Sequence, residues 1–172
     1  MRYDFKKNNI GMYCLYDSNN GVWIGNSFFD EVTKPIAVNN ISTLNVMFSR
    51  IVIKDGKCGV FSVHPKKLSI TIPCEYDEIL YDYFVGIEGG WVLKKNNKKG
   101  VYSISEKRII LSCDYDEIES APSAWLIQKN GLWGVYDIKL RKVTLPCICD
   151  QIIITEHECK VLRGEEWHTL QR

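Results

Sequence analysis

The sequence predicts an all-β fold of antiparallel three-stranded meander repeats forming a curved or propeller-like array. Three observations point to it. Four short segments end alike: Phe28-Phe29-Asp30-Glu31-Val32, Glu75-Tyr76-Asp77-Glu78-Ile79, Asp114-Tyr115-Asp116-Glu117-Ile118 and Ile148-Cys149-Asp150-Gln151-Ile152. A polar turn and a glycine precede each one: Lys7-Asn8-Asn9-Ile10-Gly11, Lys54-Asp55-Gly56-Lys57-Cys58-Gly59, Lys95-Asn96-Asn97-Lys98-Lys99-Gly100 and Lys129-Asn130-Gly131-Leu132-Trp133-Gly134. The residues after each glycine alternate with period two, the period of a strand. From glycine to aspartate the units run 19, 18, 16 and 16 residues, so the repeated core is nearly constant in length. A repeat on this scale decides architecture before local propensity does.

Each unit opens with an apolar run: Tyr3 to Phe5, Phe48 to Ile53, Trp91 to Leu93, Trp125 to Ile127. The Lys-Asn-Gly and Lys-Asp-Gly turns join it to the alternating strand as a hairpin, Asn and Gly supplying the positive φ that such turns need. In that second strand Tyr13/Leu15, Phe61/Val63, Tyr102/Ile104 and Tyr136/Ile138 occupy one face. They are expected to stack into a core column, with the opposite face growing polar outward. A third strand (Leu68 to Ile72, Arg108 to Leu111, Lys142 to Leu145) leads into Pro73-Cys74 and Pro146-Cys147, where proline suits an edge or a strand end. The units so read are about 1–32, 46–79, 91–118 and 124–152, with a half repeat at 158–172, in a single domain. In the half repeat Trp167 aligns with Trp133. The long connection from Thr33 to Asn45 has no counterpart and is a candidate recognition loop.

Lys129-Asn130-Gly131-Leu132-Trp133-Gly134-Val135-Tyr136-Asp137, followed by Leu145-Pro146 and an Asp-Gln-Ile close, resembles the WG-repeat family. The other units carry Ile10, Cys58 and Lys99 at the tryptophan position, and the first lacks the proline. The resemblance covers most of the chain. It implies an all-β, hairpin-built array with no activity of its own, and brings no catalytic signature.

Lys plus Arg is 22 against 21 Asp plus Glu, a net charge of +1, which speaks against nucleic acid as a partner. No apolar run follows Met1-Arg2-Tyr3, so no signal peptide is expected, and no stretch is long enough to span a membrane. Seven cysteines in no disulfide-framework spacing suit a reducing, cytoplasmic compartment.

No motif points to catalysis, a cofactor or a metal. Cys74, Cys113 and Cys147 share one repeat position, which an array spreads apart instead of converging on an ion, so they read as small buried apolar residues. Cys147-Ile148-Cys149 and His157-Glu158-Cys159 are single pairs without the second pair a zinc site shows. His64 precedes Pro65 in a turn, and His168 falls at a glycine position of the last strand. Gly86-Ile87-Glu88-Gly89-Gly90 lacks the ending and helix of a phosphate loop and reads as a turn between repeats. Asp77-Glu78 and Asp116-Glu117 superficially resemble paired glycosidase acids, but recurrence in every unit argues for Asp accepting backbone N–H bonds at a turn or cap.

Charge is patterned along the repeat. Lysines gather at the hairpin turns (Lys6, Lys7, Lys54, Lys57, Lys94, Lys95, Lys98, Lys99, Lys129), and acids gather after the third strand. The expectation is one basic edge and one acidic edge, with Glu75, Asp77, Glu78, Asp82, Asp114, Asp116, Glu117 and Glu119 forming a partner-binding strip. Such a scaffold is expected to bind a protein stoichiometrically, its most concrete form an immunity protein that covers the active site of a basic, nuclease-like toxin domain. The alternatives are a generic adaptor, or a carbohydrate or cell-surface module using Trp23, Trp91 and Trp125 as stacking platforms.

Overall fold

The computed structural model describes residues 3–40, 45–64, 67–82, 90–155 and 157–170, with the backbone alone at 38–40, 45–47, 63–64 and 67–68. The fold is all-β, and no helix occurs among the described residues. Contacts divide the chain into two compact units, Met1–Ile79 and Leu80–Arg172.

In the first unit, β1 (Tyr3–Lys7), β2 (Tyr13–Asp17) and β3 (Val22–Phe29) form a three-stranded antiparallel sheet. A second sheet runs β4-β6-β7-β8, with β4 at Glu31–Val32, β6 at Asn45–Lys54, β7 at Lys57–His64 and β8 at Lys67–Tyr76. β5 (Ile36–Asn40) also pairs with β6. The connection expected to be a loop is thus partly strand, because Ile36 to Asn40 satisfy their backbone against Ser49 to Asn45; its residues 41–44 lie outside the described residues.

Three further sheets follow along the chain. β9 (Glu78–Asp82), β10 (Gly90–Lys95), β11 (Lys98–Ser103) and β12 (Arg108–Tyr115) form one. β13 (Glu117–Ala121), β14 (Ala124–Lys129), β15 (Leu132–Asp137) and β16 (Lys142–Cys149) form the next. The last holds β17 (Gln151–Ile154), β18 (Cys159–Arg163) and β19 (Glu166–Leu170). The three-stranded meander is therefore present, and it gains a strand. The residues after each repeated Asp do not close their own unit but open the next sheet, as β4, β13 and β17 do.

The hairpin turns explain themselves chemically. Asp55-Gly56, Asn96-Asn97 and Asn130-Gly131 all have positive φ at both residues (52° and 70°, 53° and 60°, 55° and 79°), the two-residue turn that matches strand twist. The first hairpin differs. Lys7 pairs with Tyr13 across a five-residue loop organised by Asn8, whose side-chain oxygen accepts the Ile10 and Met12 N–H groups at 3.1 and 3.0 Å. Strand pairing sets Tyr13↔Phe29 beside Cys58↔Tyr76, Lys99↔Tyr115 and Trp133↔Cys149. The tryptophan position of the first unit is thus Tyr13, not Ile10, and Cys14, not Gly11, stands where Gly59, Gly100 and Gly134 stand. The three-residue longer loop hid this register.

The core departs from the expected single column. Within the second unit, Trp125, Ile127 and Tyr136 pack on one side of the β13–β16 sheet with Val101 and Leu111, while Ala124, Val135 and Cys149 pack on the other with Ile152, Cys159 and Val161. Sheets stack on both faces, so the side expected to turn polar is buried as well. In the first unit the core is Phe5, Leu15 and Phe29 against Val52 and Phe61, with ring pairs edge to face at 5.2 to 6.3 Å.

Candidate functional site

The repeated aspartate is a clamp between consecutive sheets. The Asp30 amide donates to the Ile53 carbonyl at 2.8 Å, and its carboxylate accepts the Asp55 amide at 2.7 Å. Asp116 repeats this on Gln128 and Asn130 (2.8 and 2.6 Å), and Asp150 on Leu162 and Gly164 (2.9 and 2.7 Å). In each case the carboxylate caps the hairpin turn of the following sheet. The expectation that Asp accepts backbone N–H groups holds, with the difference that the capped turn belongs to the next repeat.

The acids and lysines do not separate onto two edges. Lys57 pairs with Asp77 in the first unit; Lys98 pairs with Asp116 and Lys99 with Glu117 in the second. Lys57 opens β7 and Lys98 and Lys99 open β11, each beside the strand that leads into the motif of its own repeat (Cys58↔Tyr76, Lys99↔Tyr115), so opposite charges meet at one edge. The Lys98 ammonium, helped by the Asn130 and Gly131 amides, holds the Asp116 carboxyl below the usual carboxylate range. Of the other strip residues, Asp114 accepts the Ser112 hydroxyl, Glu119 is exposed on β13, Asp82 is half-buried on β9, and Glu75 and Glu78 are exposed on β8 and β9.

The repeated glycine has a second role that turn chemistry did not reveal. A Cβ on Gly134 would lie 2.6 Å from the Leu145 carbonyl oxygen, one on Gly100 2.6 Å from that of Leu111, and one on Gly59 2.7 Å from that of Ile72. Here the third strand bulges inward, its register shifting on either side of Val60, Val101 and Val135. The bulge carries the cysteine. Cys74, Cys113 and Cys147 reach over the glycine to the carbonyls of Val52, Leu93 and Ile127 at 3.8, 3.7 and 3.3 Å. Those residues pair directly with the three glycines. The cysteines are half-buried thiols bridging two strands, not fully buried apolar fillers. Burial pushes the Cys74 and Cys147 thiols up.

The same bulge shapes a recurring cleft. In the first unit an open cleft of about 440 Å³ is lined by Phe29, Lys54, Asp55, Ile70, Pro73 and Cys74, among others. In the second unit one of about 270 Å³ is lined by Tyr115, Lys129, Asn130, Val143, Pro146 and Cys147. These residues are equivalent pair by pair. Each cleft takes the residue before the clamping Asp from one sheet. The next sheet contributes its turn lysine, an exposed aliphatic residue and the Pro-Cys bulge. Ile70 and Val143 are 46 % and 40 % exposed.

The remaining candidates fall into place. Trp91 and Trp125 are buried at 1 % and 2 % exposure, Trp125 stacked on Tyr136 with centroids 5.1 Å apart, which removes them as stacking platforms. Trp23 is half exposed and meets Tyr16 edge-on at 5.0 Å. Among the described residues no group of three or more His, Cys, Asp or Glu is placed to hold a metal. His168 is exposed on β19 opposite Val161. The backbone of His64 ends β7, while Pro65 and residues 86–89 of the glycine-rich segment lie outside the described residues. No helix among the described residues is long and apolar enough to cross a membrane.

No protein-family model, curated protein or solved structure matches the chain.

Proposed function

We propose that this chain is a WG-like repeat protein that works by stoichiometric binding of a protein partner, not by catalysis. One observation carries the reading. The same cleft is built twice from equivalent positions, each with an exposed aliphatic residue and a lysine beside a rigid Pro-Cys bulge. Apolar contact points repeated along a scaffold suit a protein surface. Catalysis calls for a single convergence of reactive groups. The concrete form we favour is an immunity protein that covers the active site of a toxin domain in the cytoplasm. The acid-to-lysine pairing weakens the case for a basic partner, and moves the proposed contact from the acidic strip to the clefts.

The test is co-expression with a toxin domain encoded beside this gene. The reading expects growth to be restored, a complex of fixed stoichiometry, and loss of protection in Ile70→Asp/Val143→Asp at unchanged Tm. Protection at substoichiometric amounts would indicate turnover and contradict it. So would full protection by the double variant.

A further inference from the structure

The second turns of two neighbouring sheets in the C-terminal unit form a basic surface that the repeat does not require. Residues 104–107 link β11 to β12, and residues 138–141 link β15 to β16. The two turns and their flanks carry Lys107, Arg108, Lys139, Arg141 and Lys142 against Glu106 and Asp137, a surplus of three positive charges in a chain whose total is +1. The turns are neighbours in space. Glu106 lies 2.5 Å from Arg108 and 3.7 Å from Arg141 of the other turn. The buried Tyr136 phenol feels Glu106, Arg108, Arg141 and Asp137 together.

The fold needs little at these turns. It needs a cap at the first position, supplied by Asp17, Ser103 and Asp137, which accept the amides of Asn20, Glu106 and Leu140. It also needs a left-handed residue at the last position. The first sheet uses Gly21 there, at φ 69°. Lys107 and Arg141 hold φ values of 54° and 55° at the same place, where a side chain costs about 1–2 kcal/mol that glycine avoids. Two long cations thus occupy the least favourable backbone position for them, and both project to solvent. Leu140 of the second turn is 58 % exposed, and Ile109, just after the first turn, is 45 % exposed.

We propose that this pair of turns is a docking surface for an acidic segment of a protein partner that also carries apolar side chains. Charge complementarity selects an anionic occupant. The exposed Leu140 and Ile109 select one with aliphatic contacts. A nucleic acid fits less well: the rings that pair across from the first residues of the third strands, Tyr102 and Tyr136, are buried and offer no base a stacking face. The proposal deepens the protein-binding reading by naming the partner's chemistry at a second surface, and it rests on that reading.

The test is an ¹⁵N amide-shift titration of the full chain with a synthetic peptide of alternating glutamate and leucine. An oligothymidylate of equal charge serves as the comparison. The expected result is saturable shifts at 105–108 and 138–143 with the peptide, and affinity about tenfold weaker in Lys139→Glu/Lys142→Glu, neither of which touches Glu106. Arg108→Glu/Arg141→Glu gives a second, independent loss. Absence of saturable shifts at these turns overturns the proposal, as does undiminished affinity in both variants. Tighter binding of the oligothymidylate to the same turns overturns it in favour of a nucleic-acid surface. If the peptide binds here but no toxin complex forms, the immunity reading fails and this one stands. If the toxin complex is indifferent to the variants and the peptide does not bind, this one fails alone.

Discussion

Gly134→Ala should be far more damaging than a glycine-to-alanine change in an exposed turn. The added methyl carbon would lie 2.6 Å from the Leu145 carbonyl oxygen and 2.8 Å from both the Cys147 nitrogen and the Pro146 carbonyl carbon. Ordinary contact begins at 3.4 Å, so the third strand must yield by about 0.8 Å. All three atoms are backbone, and no rotamer change can relieve them. The strand is held by Val135↔Leu145 on one side and Trp133↔Cys149 on the other. Overpacking of this kind costs about 1–3 kcal/mol, and we place it near about 3 because backbone must move. For a unit of this size that lowers Tm by about 15 °C. Gly131→Ala is the control: φ is 79° with nothing within 4 Å, so only left-handed strain is added, about 1 kcal/mol. Thermal unfolding followed by tryptophan fluorescence suits the purpose, since four of the five tryptophans lie in the unit Leu80–Arg172. Equal Tm losses in the two variants would refute the close-approach account.

Other outcomes follow from the same contacts. Asp116→Asn should destabilise the C-terminal unit at neutral pH and lose its effect in acid; because the folded carboxyl is held below its ordinary range, its contribution is present above the unfolded value and disappears as pH falls through the folded one, which urea unfolding across pH reads directly. Trp125→Ala removes a ring that is 2 % exposed and should cost about 3–5 kcal/mol in a denaturant titration. Cys58, Cys74 and Cys147, whose thiols are pushed up chiefly by burial, should react slowly with a thiol reagent near neutral pH and speed up with alkali or denaturant; fast labelling of the native chain at neutral pH would contradict the burial.

Much of this architecture was legible because its signals are local. Period-two alternation after Gly59, Gly100 and Gly134 announces a strand, and Asn130-Gly131 announces the turn before it. What sequence could not show is where each strand goes next. Glu117-Ile118 reads as the close of one repeat and turns out to open the following sheet as the start of β13, since strand partnership is decided by packing at a distance. That single difference turns the Asp motif into a clamp, carrying the Asp116 carboxylate onto the Asn130 amide of the following sheet. The acidic strip rests on periodicity alone, and periodicity does not say that the hairpin lysines of a repeat lie across from its own Asp-Glu motif. The cleft was missed because its parts come from two repeats. The recurrence of Pro-Cys beside an aliphatic third strand was its only trace in the sequence. The basic turns were visible as Glu106-Lys107-Arg108 and Lys139-Leu140-Arg141-Lys142, but only the left-handed geometry of Lys107 and Arg141 sets them apart from ordinary solvated turns.

The account turns on the repeated aspartate knitting one sheet to the next, leaving the clefts and basic turns free to bind. Hydrogen exchange at the Asn130 amide measures this most directly. In the parent chain that N–H donates to the Asp116 carboxylate at 2.6 Å and should be protected although its residue is exposed. In Asp116→Ala its protection should collapse toward the rate of an open turn, while core amides of β15 such as Val135 keep theirs. Unchanged protection at Asn130 in that variant would contradict the clamp and the assignment of the motif to structure.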